Sequence, residues 1–101
     1  MASRLELHAE LCKLLGSRNV YFQPPSSIKM KYPAIVYSLD NLENRHANDS
    51  VYTTNVRYSL TYIDTNPDSE KVLEISKLPY CRFNRFYISD NLNHYNYSLY
   101  F

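Results

Sequence analysis

Side chains that could carry out catalysis are few and scattered in this sequence. The three histidines fall on a candidate helix, a polar stretch and a candidate strand: His8, His46 and His94. Near His94, Tyr97 and Ser98 either point to the opposite face of a strand or lie too far along it to form a nucleophile–base pair. Asp90 is placed for a turn contact with His94, and no pattern favours a pair of carboxylates for glycoside hydrolysis. We therefore predict that the chain is not an enzyme and has no catalytic residues.

Patterns that bind metals or phosphates are missing as well. No two histidines or cysteines have the spacing of zinc ligands. Asp40, Glu43 and Asp49 lack the order and the central glycine of an EF-hand loop. Gly16 is the single glycine, which excludes the glycine-rich loops that hold phosphates. We expect no metal and no cofactor.

The length of 101 residues indicates one domain, spanning residues 1–101, with a core of its own. The net charge of +1 argues against a dedicated duplex-binding protein and against an acidic disordered chain. Cys12 and Cys81 read as buried thiols outside any cysteine motif. Residues 1–16 show neither a signal peptide nor a membrane span, so we expect the protein to mature in a reducing cytoplasm.

The composition is unusual in having 11 tyrosines and no tryptophan. Two interpretations stay open. The excess of Tyr, Asn, Ile and Lys is typical of an AT-rich genome, and tyrosine is also enriched at protein interfaces because it combines a rigid apolar body with a polar tip.

The elements that must position these residues follow from periodicity. Residues 3–15 predict an amphipathic helix, with Ser3 in a capping box and Gly16 after the last turn. Its apolar stripe is Leu7, Leu11, Leu14 and Leu15. Residues 51–64 alternate strictly between apolar or aromatic and polar side chains, as a strand with one packed face does. Residues 94–101 also alternate, with Tyr95, Tyr97, Leu99 and Phe101 on one face, so we expect this strand to pair into the sheet. Other strands are expected at 20–22, 33–39 and 80–88, and the polar residues 40–50 are expected to form a long hairpin loop.

A second helix is expected from Asn66 and Pro67 to the residues before Pro79, with Val72, Ile75 and Ser76 on its inner face. The element order is α-β-β-β-α-β-β. This predicts an α+β fold, a mostly antiparallel sheet flanked by two helices. Whether the strands before and after the second helix pair directly is left open.

The segment RFNRFY, residues 82–87, allows two kinds of partner. Arginines interleaved with aromatic rings are typical of single-strand nucleic-acid binders. Phe83 and Phe86 are three apart, however, so a regular strand cannot place them on one face unless a bulge intervenes. The alternative is protein–protein contact, since a strand with aromatic residues on both faces leaves a second, exposed aromatic face. We favour the protein interface.

The sequence resembles small neck proteins of tailed bacteriophages, and most of all the tail terminator (tail completion or minor capsid) family. The resemblance covers about residues 20–101 and rests on the order of elements. Its features are YPAIVY after a lysine-rich loop, the strand RYSLTYID, the start TNPDSE and the ending DNLNH…LYF.

The resemblance implies a structural protein of the virion tail or neck, assembled in the host cytoplasm. Its implied partners are other copies of itself in a six-membered ring, the tail tube protein, the head–tail connector and, if the tail contracts, the sheath. DNA would only pass through the lumen, and no membrane is involved. A head-completion adaptor or stopper is the alternative in the same setting, and a single-strand nucleic-acid module is the alternative of another class.

Interface roles are hypotheses at this stage. The 40–50 segment would be a projecting arm that touches a neighbour or the tube. Charged contacts between subunits and aromatic anchors complete the candidate set, which is Asn44, Arg45, His46, Arg57, Arg82, Arg85, Tyr87, Tyr95 and Tyr97.

Overall fold

The protein has an α+β fold in which two helices pack on one face of a five-stranded, mostly antiparallel sheet. The structure, a computed structural model, describes residues 4–25, 27–47 and 50–101, and for residues 43–47 and 50–54 it describes the backbone pairing alone. The elements are α1 (Arg4–Leu15), β1 (Val20–Phe22), β2 (Ala34–Ala47), β3 (Ser50–Asp64), α2 (Lys71–Ser76), β4 (Cys81–Ser89) and β5 (Leu92–Tyr100).

Helix α1 forms as its leucine spacing predicts. Leu7, Leu11 and Leu15 are buried in one stripe against the sheet. Gly16 follows with a φ of 77°, and its N–H donates to the carbonyl of Cys12 over 2.9 Å, which closes the helix. The predicted N-cap, Ser3, lies outside the described residues.

The strand order is β1-β2-β3-β5-β4. Strand β1 is parallel to β2, and all other neighbours are antiparallel. Strands β3 and β4, on either side of α2 in the chain, are therefore separated by β5. This answers the pairing question that the sequence left open. Strand β5 is interior, with hydrogen-bonded neighbours on both sides.

The prediction that residues 40–50 form a loop is wrong for every position that the structure describes, because these residues lie in strands. Strand β2 continues to Ala47 and pairs with β3 from Ser50 onward, with Glu43 opposite Asn55 and Ala47 opposite Ser50. Polar composition suggested a loop, but an antiparallel two-stranded ribbon can be solvated on both faces and needs no apolar alternation. A register shift between Leu39 and Asn41 marks where this ribbon begins.

The second helix is shorter than predicted. Its first helical residue is Lys71, and Glu70 occupies the N-cap without a side-chain hydrogen bond. The Asn66 side chain instead accepts a hydrogen bond of 3.0 Å from the N–H of Asp68, which makes a local turn. Ile75 is fully buried as expected, whereas Ser76, predicted to face inward, is exposed.

The core lies between the helices and the sheet, and it combines leucine and isoleucine side chains with several tyrosines. Tyr37, Tyr62 and Tyr97 are almost completely buried among leucine and isoleucine side chains. Each hydroxyl has a partner. Tyr37 contacts His8 Nδ1 at 2.7 Å, Tyr62 donates to Asp64 at 2.6 Å, and Tyr97 donates to a backbone carbonyl of α2. Because these polar tips are satisfied, burying the rings stabilises the fold.

Candidate interaction surface

Strand β4 forms one edge of the sheet, and its irregular register sets which side chains face which way. Phe83 pairs with Tyr97, and Phe86 pairs with Tyr95. Between them the register shifts, so Asn84 is an extra residue and the two phenylalanines share a face. The bulge that the sequence required for this arrangement is present.

The helix-side face of β4 borders an apolar groove of about 290 Å³. Helix α2 is only 6 residues long and leaves this end of the sheet uncovered. Phe83 and Phe86 are therefore 47% and 48% exposed, and Ile88 is 64% exposed. Leu73, on α2 itself, is 63% exposed. The groove is lined by Val72, Leu73, Ser76, Phe83, Tyr95 and Tyr97. We call this set with Phe86 and Ile88 the edge groove.

Hydrogen bonds and ring contacts hold the edge groove in place. The Tyr97 hydroxyl donates to the Val72 carbonyl over 2.9 Å, which ties β5 to α2. Phe83 packs edge-on against Tyr97 with ring centroids 5.5 Å apart, and Phe86 lies 5.1 Å from Tyr95. Burial raises the pKa of Tyr97, and burial also raises the pKa of Tyr95. The groove is thus preformed and uncharged at neutral pH.

Cys81 is the first residue of β4, next to the edge groove. It is partly buried opposite Leu99, and burial raises the pKa of its thiol to about 11. The thiolate is the reactive form of cysteine, so this thiol is chemically quiet near neutral pH. Its place is consistent with the packing role expected from the sequence.

The opposite, open face of the sheet differs from expectation. It was expected to carry Tyr and Phe, but both phenylalanines of β4 face the helix side, and the centre of the open face is polar. Asn96 donates to Ser59 and Thr61 over 3.2 and 3.1 Å, and Asn84 donates to Asn96 and Ser98. The bulge is the reason, because it moves Phe86 away from the face that regular alternation would give it.

Arg82, Arg85 and Tyr87 project from β4 on this open face, opposite Ser98, Asn96 and His94. The Tyr87 and His94 rings are stacked, with centroids 4.8 Å apart and an interplanar angle of 18°. The Arg85 guanidinium lies 5.0 Å from the centre of the Tyr87 ring. Three of the predicted site residues are thus brought together, away from the edge groove.

Arg57 lies further along the open face, near the start of the ribbon. Its Nε donates to Asp40 over 2.7 Å, and hydrogen bonds to Tyr100 and Asp40 raise the pKa of this guanidinium. Asp40 sits at the register shift in β2, so this pair joins both strands where the ribbon leaves the sheet.

The outer part of the β2–β3 hairpin forms an arm, defined as residues 42–47 and 50–55. Beyond Arg57, which is opposite Tyr100, β3 has no partner strand other than β2 in the described pairing. Six residues at the rise of a strand extend about 20 Å. Asn44, Arg45 and His46 lie in this arm as strand residues, and their side chains are outside the described set.

The predicted anchors divide between the two faces. Tyr97, which is completely buried, and Tyr95, which is partly buried, line the edge groove, whereas Tyr87 is on the open face. The candidate set predicted from the sequence contained Tyr95 and Tyr97 but none of the other groove residues, which are Val72, Leu73, Ser76, Phe83, Phe86 and Ile88. The exposure of Leu73 could have been predicted, because this apolar residue lies next to the narrow inner face of α2 and not on it.

Across the described residues, no three His, Cys, Asp or Glu side chains come together to hold a metal ion. Within the same part of the chain, no helix combines the length and apolar character needed to cross a membrane. Neither a scan against protein-family models nor a search of curated proteins gave a match to this chain.

Proposed function

We propose that this chain is a structural subunit of the neck of a tailed bacteriophage, a tail terminator that assembles as a ring on the last ring of the tail tube. In this role it stops elongation of the tube and offers a docking surface to the head connector. The observation that carries the proposal is the edge groove, an exposed aromatic surface beside an unpaired strand edge. Such surfaces are typical of contacts with a protein partner.

The position of the arm supports the same conclusion. A ring requires head-to-tail contacts, in which each subunit uses two different surfaces. The edge groove lies at the β4 edge, whereas the arm leaves the sheet from β2 and β3. The subunit therefore presents two dissimilar surfaces on separate parts of the fold, as closed head-to-tail assembly needs. The resemblance to tail terminators supplies the six-fold symmetry of the proposal.

The test is the mass of the full chain in solution, measured by light scattering with and without assembled tail tubes. A six-fold particle, or a monomer that binds only tube ends, is the expected result. Phe86→Ser should abolish that association. Leu5→Ser is the matched control, because Leu5 is an exposed apolar residue on α1, outside the groove.

A monomer that ignores tubes would overturn the proposal. If that monomer bound the isolated connector instead, the head-completion adaptor would replace the terminator as the assigned function. Association that persists unchanged in Phe86→Ser would show that the edge groove is not the contact.

A further inference from the structure

The proposed ring contacts involve the edge groove and the arm, and they assign no role to the open face of β4 and β5. It lies on the side of the sheet away from both helices and from the edge groove. Asp40 is the one carboxylate among the strand side chains described on this face, and Arg57 binds it. The remaining charges described there are the guanidinium groups of Arg82 and Arg85, so the β4 end of the face is positive.

Arg82 and Arg85 are exposed and have no carboxylate within ion-pair distance among the described side chains. They face the hydroxyl of Ser98 and the amide of Asn96 across the ladder. The polar groups around them already satisfy one another, since Asn84 bonds both Asn96 and Ser98. The two guanidinium groups are therefore available to an external anion.

An aromatic platform lies beside these cations. Tyr87 and His94 stack nearly parallel at 4.8 Å, and Arg85 packs over Tyr87 at 5.0 Å. This pairing holds the rings in one orientation next to the positive groups. Stacked rings beside arginines on a sheet face are the combination that binds unpaired bases and their phosphates.

We propose that the open face of β4 and β5 binds single-stranded nucleic acid, with Arg82 and Arg85 on phosphates and the Tyr87–His94 pair stacked on a base. A duplex fits less well, because its bases are already stacked and cannot reach the platform. The sequence-based version drew on all the rings of the RFNRFY segment, and the structure narrows it to Tyr87, since Phe83 and Phe86 lie on the opposite face. It does not depend on ring assembly.

The probe is a fluorescein-labelled single-stranded DNA of about ten nucleotides, a length that one such surface covers, titrated with the full chain by fluorescence anisotropy at several salt concentrations. Replacing both arginines, as Arg82→Ala with Arg85→Ala, should weaken binding at least about tenfold and reduce the salt slope by about 0.7 for each phosphate that is no longer neutralised. Arg18→Ala, an exposed arginine before β1, is the matched control and should change neither quantity.

Stacking is tested separately. Tyr87→Ala should weaken binding about tenfold while the salt slope stays the same, because base stacking carries no counterion release. Tyr87→Phe keeps the ring and should bind as the parent does. Phe86→Ala is the control, because Phe86 precedes Tyr87 and lies on the opposite face, and it should leave nucleic-acid binding unchanged. Thermal melting of each variant shows that it is folded.

Three outcomes would overturn the proposal. They are no binding at low salt, equal affinity for a duplex of the same length, and arginine or Tyr87 variants that bind as the parent does. If the arginine and Tyr87 variants lose nucleic-acid binding but still assemble, the open face and the edge groove have separate functions. The same conclusion holds if Phe86→Ser fails to assemble but still binds the oligonucleotide.

Discussion

Phe83 and Phe86 lie on the same face of β4 although they are three residues apart, because Asn84 is an extra residue in the ladder. Phe83 is opposite Tyr97 and Phe86 is opposite Tyr95, and those two tyrosines are two apart on a regular strand. The single bulge thus aligns two aromatic pairs along the edge groove. It also sends the Asn84 side chain to the open face, where it bonds Asn96 and Ser98.

Deletion of Asn84 should therefore be tolerated. Without it, the two phenylalanines are two apart and a regular strand keeps both in the groove, so the loss is that of two exposed hydrogen bonds, about 1 kcal/mol of unfolding free energy. Deletion of Tyr87 in the same strand is the control. It forces Phe86 or Ile88 onto the wrong face and should cost more than about 2 kcal/mol. Urea unfolding of both variants measures this, and equal losses would contradict the bulge argument.

Local signals in the sequence were sufficient for the elements whose side chains pack against the core. The leucine stripe gave α1, and period-2 alternation gave the inner parts of β3 and β5. The strand order was not predictable, because the insertion of β5 between β3 and β4 depends on contacts distant in sequence. The arm was misread because its strands pair with each other and have no packed face to impose an alternating pattern.

The candidate site was predictable only in part. Tyr87, Arg82 and Arg85 were correctly recognised as strand residues, but their face depended on the position of the bulge. The NPDSE segment carried helix-start signals, yet Asn66 and Ser69 use their side chains in turns before Lys71. The shortened helix is what leaves the edge groove uncovered, so this surface could not be inferred from the residues that line it.

The buried tyrosines predict a loss of stability at alkaline pH. Burial raises the pKa of Tyr62, and its hydrogen bond to Asp64 raises it further above the ordinary value of 10.0. Above about pH 10 the unfolded chain releases a proton that the native state retains, so stability is complete below that pH and falls as the pH rises, by about 1.4 kcal/mol per pH unit for each such group.

Tyr62→Phe should remove one part of this alkaline dependence and lower stability near neutral pH by about 1 kcal/mol through loss of the hydrogen bond to Asp64. Guanidinium unfolding across the alkaline range measures both effects. Tyr80→Phe is the control, because the Tyr80 side chain is 81% exposed and its hydroxyl faces solvent. An unchanged alkaline slope in Tyr62→Phe would contradict the assignment.

The arm should be dispensable for folding and required for assembly. Replacing residues 45–53 by Asn-Gly joins Asn44 to Thr54, which are opposite each other, through a two-residue turn. Since an isolated two-stranded ribbon is marginally stable at best, we expect the melting temperature to change by only a few degrees. Binding to tube ends, measured by co-sedimentation, should be lost. A shortened protein that still caps tubes would show that the arm is not a contact.

The last residues of β5 should be required for folding itself. Deleting residues 97–101 removes Tyr97 and Leu99, both buried, and leaves the first three residues of β4 without their partners on β5. The two buried side chains alone account for on the order of 5–10 kcal/mol, comparable with the whole stability of a small domain. We expect no cooperative thermal transition by circular dichroism. Deleting Phe101 alone is the control and should leave a folded protein, because Phe101 lies after the end of the strand. A soluble monomer lacking residues 97–101 that melted cooperatively would show that β5 contributes to assembly more than to the core.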